Sequence, residues 1–463
     1  MLSFPEKFYK KEIKWDFPIG ELRKRSWAAQ LEVLKVIADI CEKYQLDWYV
    51  YWGTLIGAVR HKGFIPWDDD IDIALRKEDY IRFLEVAPSE LPSEYCILNS
   101  YTEKEYTNYF SRITNRHAID YSIQGMRRYH GFPFVAGIDI FPLYYIPENS
   151  EEAEMQKQLL ALIGQIVDLC EYRATLNGQE QEEEYHEIEE TIRDGLTALE
   201  ELTGFCFETN RSLQNQLTIL YDQICRMYNA KESRAVTAFP IYMKNGYEVE
   251  GELIERTVIL PFENMNVRAP IGYDSILRKT FQDYMTPVRG KGSHKDLFYK
   301  SQMELLEKYI CKMVNEDLRE NDALREKQKQ AVYEQTENVR SKKTVLFCCT
   351  MSEMLSYDGF AIEKLRYVLN TFCDKEEIVL WWRPCVLDTP SVRFLKEMIP
   401  DFLREYRELI EEYRRQGIGI LDETGNVAWA VENCDAYYGD PGETAELFAK
   451  TGRPMMYQNY EII

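Results

Sequence analysis

Four aspartates occupy five positions in Trp67-Asp68-Asp69-Asp70-Ile71-Asp72-Ile73. If the stretch is a strand, side chains two apart share a face, so Asp68, Asp70 and Asp72 project together while Ile71 and Ile73 turn into the core. Carboxylates gathered on one face repel one another unless a cation lies among them. Hard oxygen donors that leave sites for phosphate and water suit Mg2+, or Mn2+ in its place. An isolated acidic run is more often a solvated turn. Three features argue for a site instead. The run continues into an apolar strand; Gly53-Thr54 precedes it as a turn that opens a short helix, with N–H groups suited to phosphate oxygens; and Arg60, His61 and Lys62 crowd the loop between. Gly53, Thr54, Arg60 and Lys62 are therefore candidate phosphate-binding residues.

The order Gly-Thr, short helix, basic loop, then Pro66-Trp67-Asp68-Asp69-Asp70-Ile71-Asp72 resembles the signature of the LicD family of phospho-alcohol transferases, and the resemblance extends from about Glu21 to His294. It implies a nucleotidyltransferase fold with Asp70 and Asp72 as metal ligands. Asp139, in Gly137-Ile138-Asp139-Ile140-Phe141-Pro142, matches a further family element and is the implied third carboxylate, completing the metal site or taking the acceptor's proton. Arg112 stands where similar sequences carry a basic strand residue, suited to a phosphate in fork geometry. The stretch Leu277 to Pro287 is similar to the family's closing Tyr-Gly-Asp-Tyr-Met segment, with Phe281 and Gln282 replacing Tyr and Gly.

The activity so implied is Mg2+-dependent transfer of a phospho-alcohol from a CDP-alcohol donor to a hydroxyl of a cell-surface glycan or lipid-linked oligosaccharide. If the alcohol is choline, its quaternary ammonium needs aromatic faces, for which Trp67, Tyr121, Tyr129 and Phe132 are candidates; ethanolamine, glycerol and ribitol stay open. Two other readings compete. A nucleotidyltransferase acting on a small molecule would use the same carboxylates but release pyrophosphate rather than CMP. A non-catalytic interaction protein would have no need of them.

Positioning these groups requires a sheet, and the chain supplies its parts. Strands are expected at Leu46–Tyr51, Asp70–Leu75 and Gly137–Phe141, after an amphipathic helix over Glu21–Tyr44. Glu148 to Glu201 carries sixteen acidic and three basic residues in helical rhythm, which predicts a helical hairpin with a solvated face. From Ser293 to Lys343 there is neither Gly nor Pro, which favours long helices. Thr344 to Ile463 alternates strand and helix, with Pro400 dividing one helical stretch, as a parallel α/β layer does. There, Trp382-Arg383-Pro384, Cys434 to Thr444 and Thr451 to Pro454 resemble half of a CDP-glycerol glycerophosphotransferase or other GT-B domain. Cys385 and Gly442-Glu443 depart from that pattern, so the resemblance implies a binding or scaffolding module.

The expected fold class is α/β: a nucleotidyltransferase domain at 1–300 with a helical insertion at 148–235, a helical linker at 301–343 and a Rossmann-like domain at 344–463. With 463 residues and 45% hydrophobic side chains the chain can bury two cores. A net charge of -22 disfavours nucleic acid as a partner. Eleven scattered cysteines without a Cys-x-x-Cys pair, an N-terminus without an apolar run and the lack of any membrane-length stretch predict a reduced, soluble, cytoplasmic protein.

Overall fold

The apolar runs flanking the aspartates pair side by side. The computed structural model describes residues 2–176, 182–233, 235–288, 297–320, 322–339, 341–373 and 375–460; His294 and Ser293, named above as boundaries, lie outside them. Contacts divide the chain into two units. Unit 2 comprises Gln30–His117 and Ala136–Val288; unit 1 comprises Met1–Ala29, Ala118–Val135 and Arg289–Ile463.

Unit 2 is built on a mixed sheet. Its strands are β1 (Trp48–Val50), β2 (Asp72–Arg76), β3 (Cys96–Leu98), β4 (Ser111–Thr114) and β5 (Gly137–Ile146), in the order β1-β2-β5-β4-β3. Only β2 and β5 run parallel; β1, β3 and β4 each run antiparallel to their neighbours. Ile71, Ile73, Leu75, Ile138 and Ile140 are buried, each contributing about 1.5–3 kcal/mol relative to exposure.

The third strand is longer than expected and runs through Pro142. Residues 137–140 of β5 pair with β4, and 144–146 pair with β6 (Ala235–Thr237), so the proline's missing N–H falls in the gap between two antiparallel partners. A short strand, β7 (Val249–Glu250), extends this edge, and β8 (Thr257–Phe262) pairs with β9 (Met265–Pro270) as a separate hairpin.

The acidic block is helical, as its periodicity predicts. Helices at Ser150–Thr175, Glu182–Thr203 and Leu213–Cys225 bury Leu160, Ile163, Ile192, Leu217 and Leu220 against Tyr144 and Ile146 at the end of β5. Their charged residues remain on the outer face.

Unit 1 contains a parallel sheet of β10 (Lys343–Cys348), β11 (Ile378–Arg383), β12 (Ile420–Leu421), β13 (Ala436–Gly439) and β14 (Met455–Tyr457), ordered β12-β11-β10-β13-β14. Helices intervene between successive strands, which is the doubly wound α/β arrangement. Pro400 occupies the first turn of the helix Pro400–Gln416, just after the short helix Leu395–Met398, because its fixed φ and absent N–H suit a helix start.

The grouping differs from the linear division at 1–300 and 344–463. Lys10 pairs with Asp401 at 2.8 Å, and the backbone N–H of Asp401 donates to Glu21. A Cβ on Gly359 would lie 2.7 Å from Pro18, so backbone packs closely there. These contacts tie the first residues to the C-terminal sheet's helices. The helix Lys300–Glu320, expected as a linker, buries Met303, Leu306, Ile310, Val314 and Leu318 along one face within the same unit. Seven of the eleven cysteines are buried and all are free thiols. No helix among the described residues is long and apolar enough to cross a membrane.

Candidate active site

The site forms where β2 begins, and its first element is a turn rather than a strand. β2 starts at Asp72, so Asp68, Asp69 and Asp70 precede it and strand alternation does not orient them. The turn is closed by the Asp68 N–H donating to the Ile65 carbonyl at 2.9 Å, and buried Gln30 donates to the Asp69 carbonyl at 2.6 Å. Held in this way, Asp68, Asp69 and Asp70 bring carboxylate oxygens within 4.8 Å of one another. Asp68 and Asp69 do not stand among the family-implied ligands; spacing alone could not find Asp69, because the alternating pattern turns it away.

Gly53 and Thr54 lie directly against this turn, in the short helix Trp52–Ile56. A Cβ on Gly53 would sit 2.5 Å from an Asp68 carboxylate oxygen, so the missing side chain is what admits that carboxylate. The buried Thr54 hydroxyl accepts from the Asp72 N–H at 2.9 Å and fixes the start of β2. The two residues thus support the carboxylates, a role that the phosphate-binding expectation did not include.

Strand register extends the cluster across the sheet. Asp72 on β2 is directly beside Asp139 on β5, and Asp139 is opposite Arg112 on β4. The Arg112 guanidinium grips Asp139 in a fork, Nε to Oδ1 at 2.5 Å and Nη2 to Oδ2 at 2.8 Å. Arg112 is thereby held more firmly protonated, chiefly through this hydrogen bonding. In this structure the fork expected to meet phosphate meets a carboxylate.

Burial and like charge act on the rest. The carboxyl of Asp72 is pushed well above the usual range by burial first, then by Asp70, Asp139 and Asp68, with Arg112 opposing. Asp68 is raised in the same sense by burial and by Asp70. Converging carboxylates, two of them with raised pKa values, have the donor chemistry that a divalent cation satisfies, and Mg2+ or Mn2+ fits oxygen donors of this kind.

The basic loop is held from outside. Arg60 donates through Nη1 to the Tyr284 carbonyl, and at 3.5 Å to that of Thr286. Exposed Lys62 has a left-handed backbone, φ 57°, and its carbonyl accepts from the Glu263 N–H at 2.9 Å in the turn between β8 and β9. The Glu263 carboxylate accepts from the Phe64 N–H at 3.1 Å, and Gly63 has no room for a Cβ beside it. Trp67 is half-buried and meets His61 edge-on at 6.3 Å.

The other aromatic candidates do not join Trp67 in unit 2. Tyr121 belongs to unit 1 and stacks with Tyr309 at 4.9 Å and Phe394 at 5.4 Å. Phe132 is fully buried with Phe134 and Tyr299, and Tyr129 is buried at the end of the helix Ile123–Arg128. These three rings serve the packing of unit 1.

Comparison with known proteins finds related sequences. A 65-residue segment is 46% identical to the lipopolysaccharide cholinephosphotransferase LicD of Haemophilus influenzae, covering 14% of this chain and 24% of that protein. Uncharacterized proteins of Rickettsia typhi and Rickettsia prowazekii are 40% and 39% identical over 57 residues, each match covering 12% of this chain and 18% and 21% of those proteins. The chain therefore spans about a quarter or less of the length of these relatives. Residues 45–158, which include β1 to β5, Arg112 and the five carboxylates, match the LicD/FKTN/FKRP nucleotidyltransferase domain family. Over residues 45–158 this chain is thus similar to the nucleotidyltransferase domain of LicD-type proteins.

Proposed function

We propose that this chain transfers a phospho-alcohol from a CDP-activated donor to a glycan hydroxyl with the help of Mg2+ or Mn2+. The observation that carries the reading is the convergence of Asp68, Asp69 and Asp70 at the start of β2, beside Asp72 and Asp139, within the segment that matches LicD-type proteins. Asp70 and Asp72, with Asp68 and Asp69 adjacent, would hold the cation. When bound, it supplies neutralisation of a diphosphate and polarisation of the transferred phosphorus.

The chain's own residues do the positioning. Thr54 and Gln30 fix the backbone carrying the carboxylates, and Gly53 leaves the space that Asp68 fills. Asp139 holds Arg112 at the edge of the cluster, where its guanidinium offsets developing negative charge. The acceptor oxygen forms a bond to the alcohol-bearing phosphorus, the bond from that phosphorus to CMP breaks, and the hydroxyl proton goes to a carboxylate of this group.

The test is donor turnover by the full chain. Incubation with CDP-choline, CDP-ethanolamine, CDP-glycerol or CDP-ribitol and a glycan acceptor should release CMP in a cation-dependent way, and Asp70→Asn should abolish it. Release of pyrophosphate from a free nucleoside triphosphate, with no CMP from any CDP-alcohol, would overturn the proposal.

A further inference from the structure

The fork between Arg112 and Asp139 stands at odds with a site for phosphate, because a guanidinium committed to a carboxylate has to release it before gripping another anion. The Arg112 side chain is 42% exposed and that of Asp139 only 16%, so the arginine is the partner able to turn outward. Its Nη1 takes no part in the fork. Asp139, left behind among like charges, would then need a new donor.

One is already at hand. Tyr106 is half-buried, and its hydroxyl is buried without a hydrogen bond to the protein among the described residues. Its ring meets Phe110 edge-on at 6.5 Å, and the Arg112 guanidinium lies 5.8 Å from the same Phe110 ring. Burial first, and then Asp139, push the Tyr106 hydroxyl up to about 12, with Arg112 and the nearby Asn108 opposing, so it keeps its proton and is a donor.

The helical insertion fixes its place. Buried Asn215, on the helix Leu213–Cys225, donates through Nδ2 to the carbonyls of Tyr106 at 2.6 Å, Glu103 at 3.0 Å and Ser100 at 3.1 Å. Ser212, the N-cap of that helix, donates to the Lys104 carbonyl at 3.1 Å. The loop that runs into β4 is therefore clamped to the insertion, and a hydroxyl that is costly to leave unpaired is held beside the fork.

We propose that Tyr106 is a positioning residue that exchanges with Arg112: when the guanidinium turns to a phosphate oxygen, the Tyr106 hydroxyl donates to Asp139 in its place. This rests on the phosphate-handling site proposed above. The exchange keeps Asp139 hydrogen-bonded in both states and releases the fork without stranding a carboxylate. It also gives the insertion a task, since the Asn215 clamp decides where the hydroxyl stands.

The test uses the full chain in Mg2+ with inorganic pyrophosphate as a diphosphate probe, read by calorimetric titration and thermal melts. Tyr106→Phe removes the hydroxyl and keeps the ring. Without pyrophosphate the variant should melt no lower than wild type, because the lost hydroxyl had no partner, yet it should bind pyrophosphate about 3- to 10-fold more weakly. In an Arg112→Ala background the pattern inverts. There the hydroxyl already meets Asp139, so Tyr106→Phe should lower the melt and change pyrophosphate affinity by about twofold at most. If Arg112→Ala does not fold, the two readouts of the single variant decide. A lowered melt of Tyr106→Phe alone, an unchanged pyrophosphate affinity, or no pyrophosphate binding by wild type would overturn the exchange. Asp70-dependent CMP release would survive each of these results, whereas an intact exchange with no CMP release would fault the transfer reaction alone.

Discussion

Replacing Asp70 by Asn removes one charge from the turn and keeps its shape. Carboxylate oxygens of Asp68, Asp69 and Asp70 lie within 4.8 Å, a spacing at which two full charges repel by about 3.5 kcal/mol at an effective dielectric constant near 20. Part of that repulsion is already relieved, because Asp68 and Asp72 hold their protons more tightly than usual. The remaining gain for the cation-free variant is about 1–2 kcal/mol, or a rise of about 2–8 °C in the melting of a unit of this size.

With cation the order reverses. Wild type at a Mg2+ concentration 100 times its dissociation constant gains about 2.7 kcal/mol, whereas the variant gains little. Thermal melts of both proteins, in EDTA and across a Mg2+ titration, read both effects. If Asp70→Asn melts well below wild type in EDTA, Asp70 is a structural partner and not one of a repelling set. If it keeps the full Mg2+ response, the turn does not hold the cation.

Stability should also depend on pH in a direction opposite to that of salt-bridged acids. The folded-state values of Asp68 and Asp72 are raised, so their neutral forms favour the fold and that contribution is lost as pH climbs from the unfolded value, about 3.9, through the folded one. Melts in EDTA should therefore weaken over this range, and the shift produced by Mg2+ should grow with pH; a Mg2+ effect independent of pH would contradict it. Thr54→Val leaves the Asp72 N–H without its partner and should cost about 1–3 kcal/mol in urea unfolding. Gly53→Ala drives a Cβ into the Asp68 carboxylate, so calorimetry should show at least tenfold weaker Mg2+ binding, with a smaller change in urea midpoint than Thr54→Val.

The sheet was legible because its strands announce themselves locally: Trp48 to Val50 are aromatic or β-branched, Ile73 to Leu75 are apolar, and Ile138 and Ile140 alternate with Asp139. The C-terminal alternation was legible for the same reason. The start of β2 was not, because the turn of Asp68 to Asp70 is set by Gln30, almost forty positions earlier. Nor could periodicity show that Arg112 meets Asp139, since cross-strand register between segments 27 residues apart is fixed by the assembled sheet. Tyr121, Tyr129 and Phe132 illustrate a further limit. Their neighbourhood in sequence to the site says nothing of the unit they pack in, and Phe132 meets Tyr299 instead.

Because unit 1 is gathered from three stretches of chain, its assembly is tied to the clock of synthesis. Lys10 and Asp401 are 391 positions apart. At about 5–20 residues per second, the first segment emerges some 20–80 s before its partner exists. During that interval Phe17 and Pro18 lack the surface formed by Phe360 and Gly359. Unit 2 can complete its strand pairing earlier, since its last strand ends at Pro270. Synthesis of the stretch carrying Gly359, Phe360 and Asp401 is thus the event that lets Lys10, Phe17 and Pro18 find their partners. An abrupt stop in translation after unit 2 would yield a protein bearing a finished carboxylate cluster and an uncovered N-terminal segment, a natural target for chaperones and proteases.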